Sequence, residues 1–343
     1  MTKSELAEYH RDIHEQKSVP HGDVSNVTLA IVNTPANYKP PIVAVLLCTC
    51  NGSRYLEEQL DSIEAQDYQN IDVWVSDDGS KDDTNPILEQ YRSSKMGHFS
   101  IQLGPQQGFV ANYLSLLRNS NIRADYFAYA DQDDIWQPDK LSRAITKLEF
   151  VPDDVPALYC SRTCLIDENG QEIGFSPLFE KPPGFANALV QSIGGGNTMV
   201  MNKIARDLLC AAGDKCVVSH DWWAYMLISG AGGTVFYDPN PTVCYRQHDN
   251  NQVGSNVGWQ DRLLRLQMLL KGRFRNWNTV NTVALQQVRH LLTPENQYIL
   301  DKFCTARNRW LVPRISGMIC SGIYRQTIWG NLGLIAAIVL KKI

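Results

Sequence analysis

The chain has 343 residues, of which 44% are hydrophobic and 20% are charged, and its formal net charge is −4. This composition is typical of a folded protein of one or two domains, and it excludes a mainly disordered chain, a collagen-like chain and a coiled-coil fibre. Residues 259–343 hold 13 Lys or Arg and 3 Asp or Glu, a balance of +10. We therefore expect the C-terminal region to bind an anionic partner, such as a membrane surface, a phosphorylated lipid or a nucleic acid.

Residues 1–40 are predicted to form an N-terminal extension and linker, because Pro20, Gly22, Pro35 and Pro40 follow a short polar segment. The first 20 residues have no apolar core, which predicts that they are not a signal peptide. The nine cysteines are scattered without the paired spacing of a zinc ribbon. We therefore expect reduced thiols in a cytosolic compartment.

The next segment alternates between strand and helix patterns. Ile42–Leu47 is a continuous β-favouring run, as expected of a strand buried on both faces, and Leu56, Leu60 and Ile63 then recur at helical spacing. Three more strand and helix pairs are predicted: Ile71–Val75 with Thr84–Tyr91, Phe99–Leu103 with Val110–Leu117, and Tyr126–Ala130 with a helix from Pro138 to about Phe150. This alternation predicts an α/β fold with a mostly parallel sheet covered by helices.

The pattern is less regular from Val151 onwards. Short strands are predicted at Leu158–Thr163, Thr198–Met201, Thr234–Tyr237 and Thr242–Tyr245, with a helix around Tyr225–Ile228 and basic helical sequence from Trp259. The apolar stretch Ile328–Leu340 is too short to span a bilayer alone. Because Trp329 and two lysines flank it, it predicts either an interfacial membrane helix or a buried C-terminal helix.

Polar side chains follow the predicted strands, which is where ligands bind in open α/β sheets. Asp131, Asp133 and Asp134 come directly after the fourth strand, and three neighbouring carboxylates repel one another unless a cation lies among them. Such hard oxygen ligands suit Mg²⁺ or Mn²⁺, and the alternative is a solvated acidic turn. The segment Asp77–Ser80 follows the second strand. Its carboxylates are suited to accept hydrogen bonds from a base N–H or from ribose hydroxyls, and the alternative is a plain turn. Further candidates for that pocket are Thr49, Asn51 and Asn112.

Two later motifs also contain residues suited to catalysis or to ligand binding. In His220–Trp223 a carboxylate stands beside two tryptophans, and an apolar wall would make it a better base, although core packing also explains the tryptophans. In Tyr245–Asn251, Arg246 is suited to clamp a phosphate and neutral His248 to bind a metal, with a polar loop as the alternative. Gly194–Gly196 is compatible with close approach to a ligand or with a simple loop.

Taken together, these motifs resemble family 2 glycosyltransferases with the GT-A fold. The resemblance rests on Val43–Asn51, Asp77–Ser80 and Asp131–Asp134, and it covers roughly residues 41–255. His220–Trp223 and Tyr245–His248 resemble the rhamnosyltransferases that build bacterial O-antigen and cell-wall polysaccharides. Many members carry a tyrosine that stacks on the base just before the first Asn, and this chain has Cys50 there.

The resemblance implies three segments: an extension at 1–40, a GT-A domain at 41–255 and a basic helical membrane-associating region at 256–343. Within the domain it implies a nucleotide half at 41–150 and an acceptor half at 151–255. It also assigns Asp221 as the catalytic base and implies a Mg²⁺ or Mn²⁺ ion bound by Asp133, His248 and Asp131. The implied nucleotide-binding residues are Thr49, Asn51, Arg54, Asp77, Asp78, Asn112, Asp131 and Arg246. The acceptor-side candidates are Trp222, Trp223, Gly196 and Asn197.

The implied reaction is inverting, metal-dependent transfer of L-rhamnose from dTDP-rhamnose to a lipid-linked glycan acceptor, in the synthesis of the O-antigen of lipopolysaccharide. The resemblance and the basic C-terminal end place the enzyme in the cytoplasm, attached peripherally to the inner face of the cell membrane, with no nucleic acid as partner. One alternative is the same fold with a UDP-sugar donor, carrying galactose or N-acetylglucosamine. The others are a non-catalytic metal- and nucleotide-binding module that docks at membranes, and a metal phosphohydrolase.

Overall fold

The computed structural model describes residues 39–94, 97–248 and 272–343. The elements below all lie in one compact unit, Ile42–Ile343. Nine strands form its sheet: β1 Val43–Thr49, β2 Ile71–Asp77, β3 Phe99–Leu103, β4 Tyr126–Ala130, β5 Ile135–Trp136, β6 Ala157–Ile166, β7 Glu172–Phe175, β8 Val200–Asn202 and β9 Thr234–Arg246. The strand order is β3-β2-β1-β4-β8-β6-β9-β5, and β7 pairs with β6 outside this path.

Eleven helices accompany the sheet within the described residues. They are α1 Leu56–Glu64, α2 Thr84–Ser94, α3 Phe109–Leu117, α4 Lys140–Leu148, α5 Phe185–Ala188, α6 Lys203–Ala211, α7 His220–Gly230, α8 Arg273–Gln287, α9 Pro294–Asn308, α10 Leu311–Cys320 and α11 Ile328–Val339. Two 3₁₀ turns, Gly196–Thr198 and Arg289–Leu291, complete the set.

Parallel pairing brings the ends of the first strands together. The four strands β3, β2, β1 and β4 are mutually parallel, and Thr49 at the end of β1 lies opposite Asp77 at the end of β2. β6 and β9 are also parallel, while β8 runs antiparallel between β4 and β6. The predicted α/β fold with a mostly parallel sheet is therefore confirmed.

Strand β1 is buried along its whole length, as its continuous apolar run predicts. Because successive side chains point to opposite faces of a strand, Ala44 and Leu46 join one hydrophobic core and Val45 and Leu47 join a second core. Each large apolar side chain buried in this way contributes about 1.5–3 kcal/mol. Both faces of the sheet are thus covered.

Two predicted boundaries differ from the structure. The expected strands Thr234–Tyr237 and Thr242–Tyr245 form one strand, β9, whose register against β6 shifts between Ser161 and Thr163. This irregularity accommodates Pro239 and Pro241, which cannot donate a backbone hydrogen bond to a neighbouring strand. The predicted strand Thr198–Met201 begins instead as a 3₁₀ turn and continues as β8.

The C-terminal part of the described chain is helical, as predicted, from α8 to α11. None of the helices that the structure describes is long and apolar enough to cross a membrane. The predicted helical start at Trp259, the boundary at 255/256 and residues 1–38 fall outside the described residues. The three-segment division of the chain stays a prediction.

Candidate active site

The ends of β1 and β2 form a hydrogen-bonded corner around Asp77. Thr49 Oγ1 donates to Asp77 Oδ1 over 2.8 Å, and Ser80 donates to the same carboxylate through its hydroxyl and its backbone N–H. The N–H of Gly79 and the side-chain amide of Asn85 also donate to it, at 3.2 and 3.3 Å. Burial alone would raise the pKa of Asp77, but these hydrogen bonds outweigh it and lower the pKa. Asp77 is therefore an ionised carboxylate that is held in place beside Thr49, another residue predicted to bind the nucleotide.

The other predicted residues of this corner are held by loop backbone. Asn51 receives a hydrogen bond from the N–H of Lys81 at 2.8 Å. Asp78 accepts from the N–H groups of Gln106 and Gly108 at 2.6 and 2.9 Å. These bonds tie the loops after β1 and β3 to the segment after β2. The structure thus brings Asn51, Asp77 and Asp78 to one edge of the sheet, as predicted.

Asn112 is buried, unlike the predicted ligand-facing side chain, whereas Arg54 lies at the surface. Asn112 is buried on α3 and exchanges hydrogen bonds of 2.6 and 2.8 Å with Ser76. Arg54 is exposed and pairs with Glu168 at 3.0 Å. We correct Asn112 to a residue that supports the end of β2, because its amide is already satisfied inside the protein.

Gly104 keeps this corner compact, and the sequence analysis did not single it out. A Cβ atom at this position would lie 2.6 Å from Asn112 Oδ1 and 2.8 Å from Asp78 Oδ1. Any side chain would therefore displace one of these two groups.

The second corner is the acidic segment after β4. Asp133 Oδ2 and His248 Nε2 are 2.8 Å apart, although 115 positions separate them in the sequence. Asp131 Oδ1 accepts a hydrogen bond from the Tyr113 hydroxyl at 2.5 Å. Burial and the charge of Asp133 raise the pKa of Asp131 to about 7. These groups form a pocket of crowded negative charge.

The crowded carboxylates fit a divalent cation. The residues that the structure describes contain no ready group of three His, Cys, Asp or Glu side chains at metal-binding distance. Asp133 and His248 are nevertheless in contact, and they offer the oxygen and nitrogen donors that Mn²⁺ accepts. Burial and the neighbouring charge of Asp133 both disfavour the charged form of Asp131, and a bound cation would favour that form.

The third carboxylate of the segment, Asp134, faces inward. It is fully buried and accepts hydrogen bonds from Asn197 Nδ2 at 2.5 Å and from the N–H of Arg246 at 3.2 Å. The carbonyl of Asn197 in turn accepts from the buried Lys140 ammonium at 2.5 Å. Asn197, predicted on the acceptor side, is therefore corrected to a buried link between Asp134 and Lys140.

The side chain of Arg246 also lies inside the protein. Its side chain is 1% exposed, and its guanidinium donates to Glu58 Oε2 at 2.7 Å and to the backbone carbonyls of Asp133 and Glu168 at 3.1 and 3.2 Å. It also lies over the Tyr55 ring at 4.4 Å. We correct the predicted diphosphate-facing position: this side chain braces the backbone of Asp133 from within the protein.

His220 forms part of an aromatic stack beside Asp131. Its ring lies 3.8 Å from the Tyr113 ring, nearly parallel to it, and meets Tyr129 edge-on. Burial lowers the pKa of His220 to about 4, and neither ring nitrogen has a hydrogen-bond partner among the residues that the structure describes. A Cβ atom on Gly196 would lie 2.4 Å from His220 Nε2, so this predicted acceptor-side glycine backs the stack. His220, unexplained by its motif, thus packs as a neutral ring that supports Tyr113.

The predicted base, Asp221, stands in the first turn of α7. It is half-buried, and its Oδ1 accepts the N–H of Trp222 at 2.7 Å. A carboxylate at a helix N-terminus is stabilised by the helix dipole. This contact holds the side chain near the start of the helix and leaves Oδ2 as its second acceptor atom.

The two tryptophans after Asp221 belong to the hydrophobic core. Trp222 is buried and its indole N–H donates to the carbonyl of Ala188 at 2.6 Å, while Trp223 is 1% exposed. The structure therefore corrects both from the predicted acceptor wall to core packing, the alternative given for them above.

Replacement of Trp223 by alanine is expected to lower the free energy of unfolding by about 3–5 kcal/mol, because it leaves a large cavity in the core. Urea unfolding followed by circular dichroism measures this loss. Trp310→Ala is the matched control: Trp310 is 70% exposed, so its removal is expected to change stability by less than about 0.5 kcal/mol. Equal losses in the two variants would contradict the core assignment.

Besides Gly104, three residues contribute to the site that were not predicted from the sequence. Tyr113 holds Asp131, Glu58 holds Arg246, and Gln132 exchanges two hydrogen bonds with the backbone of Cys50. A Cβ on Gly52 would lie 2.2 Å from Gln132 Oε1, which explains the glycine at that position. Of these three, only Gln132 could have been noticed from the local sequence, because it lies between Asp131 and Asp133.

Comparison with known proteins identifies the family of the chain. The sequence model described as "Glycosyl transferase family 2" matches residues 44–193. The chain is 31% identical over 239 residues to the dTDP-rhamnosyl transferase RfbG of Shigella flexneri, an alignment that covers 67% of this chain and 81% of that protein.

Two solved structures are also similar. S. aureus TarS 1-349 in complex with UDP-GlcNAc has a TM-score of 0.48 at 14% identity, covering 82% of this chain and 79% of the other. The mannosyltransferase PcManGT from Pyrobaculum calidifontis, in complex with GDP-Man and Mn²⁺, has a TM-score of 0.48 at 18% identity, covering 98% and 94%. The matched sequence model and the extensive similarity to RfbG show that the chain is a glycosyltransferase that belongs to family 2.

Proposed function

We propose that the chain is an inverting, metal-dependent glycosyltransferase that moves L-rhamnose from dTDP-rhamnose to a lipid-linked glycan, in the synthesis of O-antigen polysaccharide. One observation carries the choice of rhamnose: the similarity to a dTDP-rhamnosyl transferase extends over 81% of that protein. The two corners, at Asp77 and at Asp133, support binding of a nucleotide and a metal ion at the same edge of the sheet.

The donor nucleotide is bound at the ends of β1 and β2 in this proposal. The fixed carboxylates Asp77 and Asp78, with Thr49 and Asn51, line the nucleoside pocket. Arg54, an exposed cation near this edge, is positioned to exchange its partner Glu168 for a phosphate. Donor binding thus uses groups that the loops already hold in place.

Asp133 and His248, with Asp131, would hold the Mg²⁺ or Mn²⁺ ion. When bound, the ion would neutralise the negative charge that develops on the departing diphosphate. Arg246 holds the backbone of Asp133, and the Tyr113 hydroxyl holds Asp131. These contacts keep the two carboxylates in place before any ligand arrives.

Asp221 is the general base of the proposed reaction. It accepts the proton of the acceptor hydroxyl while the hydroxyl oxygen forms a bond to C1 of the sugar. The bond between C1 and the phosphate oxygen breaks on the opposite side, and dTDP leaves with that electron pair. Attack opposite the leaving group inverts the configuration at C1, so a β-linked donor gives an α-linked rhamnoside.

The proposed acceptor, a glycan on a lipid, requires the enzyme to work at a membrane. We propose peripheral attachment to the cytoplasmic face of the cell membrane through the basic C-terminal helices. The charge balance of +10 over residues 259–343 supports this placement, because the cytoplasmic leaflet is anionic.

The donor is tested by thermal unfolding with dTDP, UDP or GDP, each with Mn²⁺ or with EDTA. A ligand that binds only the folded chain stabilises it by ~2.7 kcal/mol at one hundred times Kd, so we expect a Mn²⁺-dependent rise in Tm that is largest with dTDP. Asp77→Ala is expected to abolish the rise. Asp72→Ala, at the other end of the same strand, is expected to retain it.

Each contrary result has its own consequence. A rise with UDP alone would reject rhamnose in favour of a UDP-sugar donor. No rise with any nucleotide would reject the donor site and would favour a non-catalytic module that binds metal and docks at membranes without a nucleotide. Release of phosphate from nucleotides without an acceptor would favour a phosphohydrolase.

A further inference from the structure

The last two helices of the chain present unusually apolar surface. Ten of the eighteen large apolar side chains that are exposed in the described part of the chain lie between residues 310 and 340. On α11, Ile328, Leu332, Ile335 and Val339 recur every three or four residues and share one exposed face. The opposite face of α11, which includes Leu334 and Ile338, is buried in the core.

The preceding helix has a similar exposed surface. Val312 and Ile319 of α10 are exposed, and they border an open groove of about 310 Å³ that is also lined by Ile315, Ser316 and Cys320. Arg314, buried behind this surface, donates to the carbonyl of Val339 at 3.2 Å and so joins α10 to α11. We name the exposed apolar residues of α10 and α11, with Trp310, the C-terminal apolar face.

The sequence around this face is basic. Residues 302–343 contain seven Lys or Arg and no Asp or Glu. Trp310 and Trp329, 70% and 73% exposed, lie at the start of α10 and in the first turn of α11. Basic residues favour anionic lipid headgroups, and tryptophan favours the boundary between headgroups and acyl chains.

We infer that the C-terminal apolar face inserts shallowly into an anionic lipid bilayer, with α10 and α11 lying in the interface. A second copy of the chain is a poorer partner, because two faces without acidic residues would repel one another. The inference deepens the membrane attachment of the proposed function and names the side chains responsible. It predicts that the helices lie along the membrane surface and do not cross it.

The test uses the full chain, sedimented with vesicles of phosphatidylcholine alone or mixed with phosphatidylglycerol. Binding is expected only when phosphatidylglycerol is present. Ile335→Ser is expected to weaken it roughly tenfold or more, since burial of one large apolar side chain is worth at least that factor. Ile173→Ser, on the β6–β7 hairpin, is the matched control: the two isoleucines are 56% and 54% exposed. This control is expected to bind like the wild type.

Three results would overturn the inference. The first is a wild-type chain that does not bind phosphatidylglycerol vesicles, and the second is equal binding by Ile335→Ser and Ile173→Ser. The third is a wild-type dimer in sedimentation velocity that Ile335→Ser converts to a monomer, because the face would then contact a second copy.

The wild type and Ile335→Ser also distinguish a failure of this inference from a failure of the proposed function. The dTDP-dependent rise in Tm is expected in Ile335→Ser, which is far from Asp77 and Asp133 in the chain. If the wild type binds vesicles but shows no rise with any nucleotide, the donor site fails and the docking face stands. If the rise is present and vesicle binding is absent, the docking face alone is rejected.

Discussion

Replacement of Asp221 by asparagine is expected to lower kcat by ~10²–10⁴-fold, the usual contribution of a positioned general base. The asparagine oxygen can still accept the N–H of Trp222, so the first turn of α7 is expected to stay intact. The substitution removes only the capacity to take a proton from the acceptor. Steady-state kinetics with dTDP-rhamnose and a lipid-linked acceptor measure the change.

Two further measurements show whether the loss is chemical. KM for the donor and the dTDP-dependent rise in Tm are expected to match the wild type, because the hydrogen bond described for Asp221 is with the N–H of Trp222 and not with a residue of the proposed nucleoside pocket. Asp207→Asn is the control, since Asp207 lies on the neighbouring helix α6 and pairs at the surface with Lys203. A kcat for Asp221→Asn within about threefold of that control would reject Asp221 as the base.

Much of the fold could be predicted because the decisive patterns are local. The run Ile42–Leu47 marks a buried strand without any knowledge of its neighbours, and parallel pairing then places Thr49 beside Asp77. The carboxyl-end location of the polar residues follows from the same rule. These features depend on short-range sequence and on general rules of sheet construction.

The directions of individual side chains depended on distant partners. Arg246 points inward because it meets Glu58, 188 positions away in the sequence, and no pattern within β9 encodes that contact. Asn197 points inward for a similar reason, since it binds Asp134. Both side chains are therefore buried and hydrogen-bonded inside the protein, in positions that the sequence near each of them does not predict.

The His220–Trp223 motif shows why a local reading left two alternatives open. An aspartate beside tryptophans is compatible with a wall of the active site and with a helix entering the core. Tertiary packing decides between them: α7 buries both indole rings and places His220 on Tyr113, while Asp221 stays half-buried at its first turn. The aromatic stack thereby links the helix that carries the proposed base to the residue that holds Asp131.

Replacement of Asp133 by alanine is expected to lower kcat/KM by ~10³-fold or more, because a bound divalent cation supplies several kcal/mol of stabilisation to the leaving group. Asp133 is the carboxylate in contact with His248, so its loss removes one ligand and leaves the other without its partner. Metal binding can also be measured without turnover. In Asp133→Ala, the Mn²⁺-dependent part of the rise in Tm with dTDP is expected to disappear.

Two comparisons make this result specific to the metal. Asp154→Ala removes an exposed aspartate from the loop before β6 and is expected to keep both activity and the Mn²⁺ effect. His248→Ala is expected to resemble Asp133→Ala, with a smaller loss, because Asp131 and Asp133 would still offer oxygen ligands. An Asp133→Ala enzyme that responds to Mn²⁺ as strongly as Asp154→Ala would show that the pair of Asp133 and His248 is a structural hydrogen bond. Cation binding would then have to be sought elsewhere along this edge of the sheet.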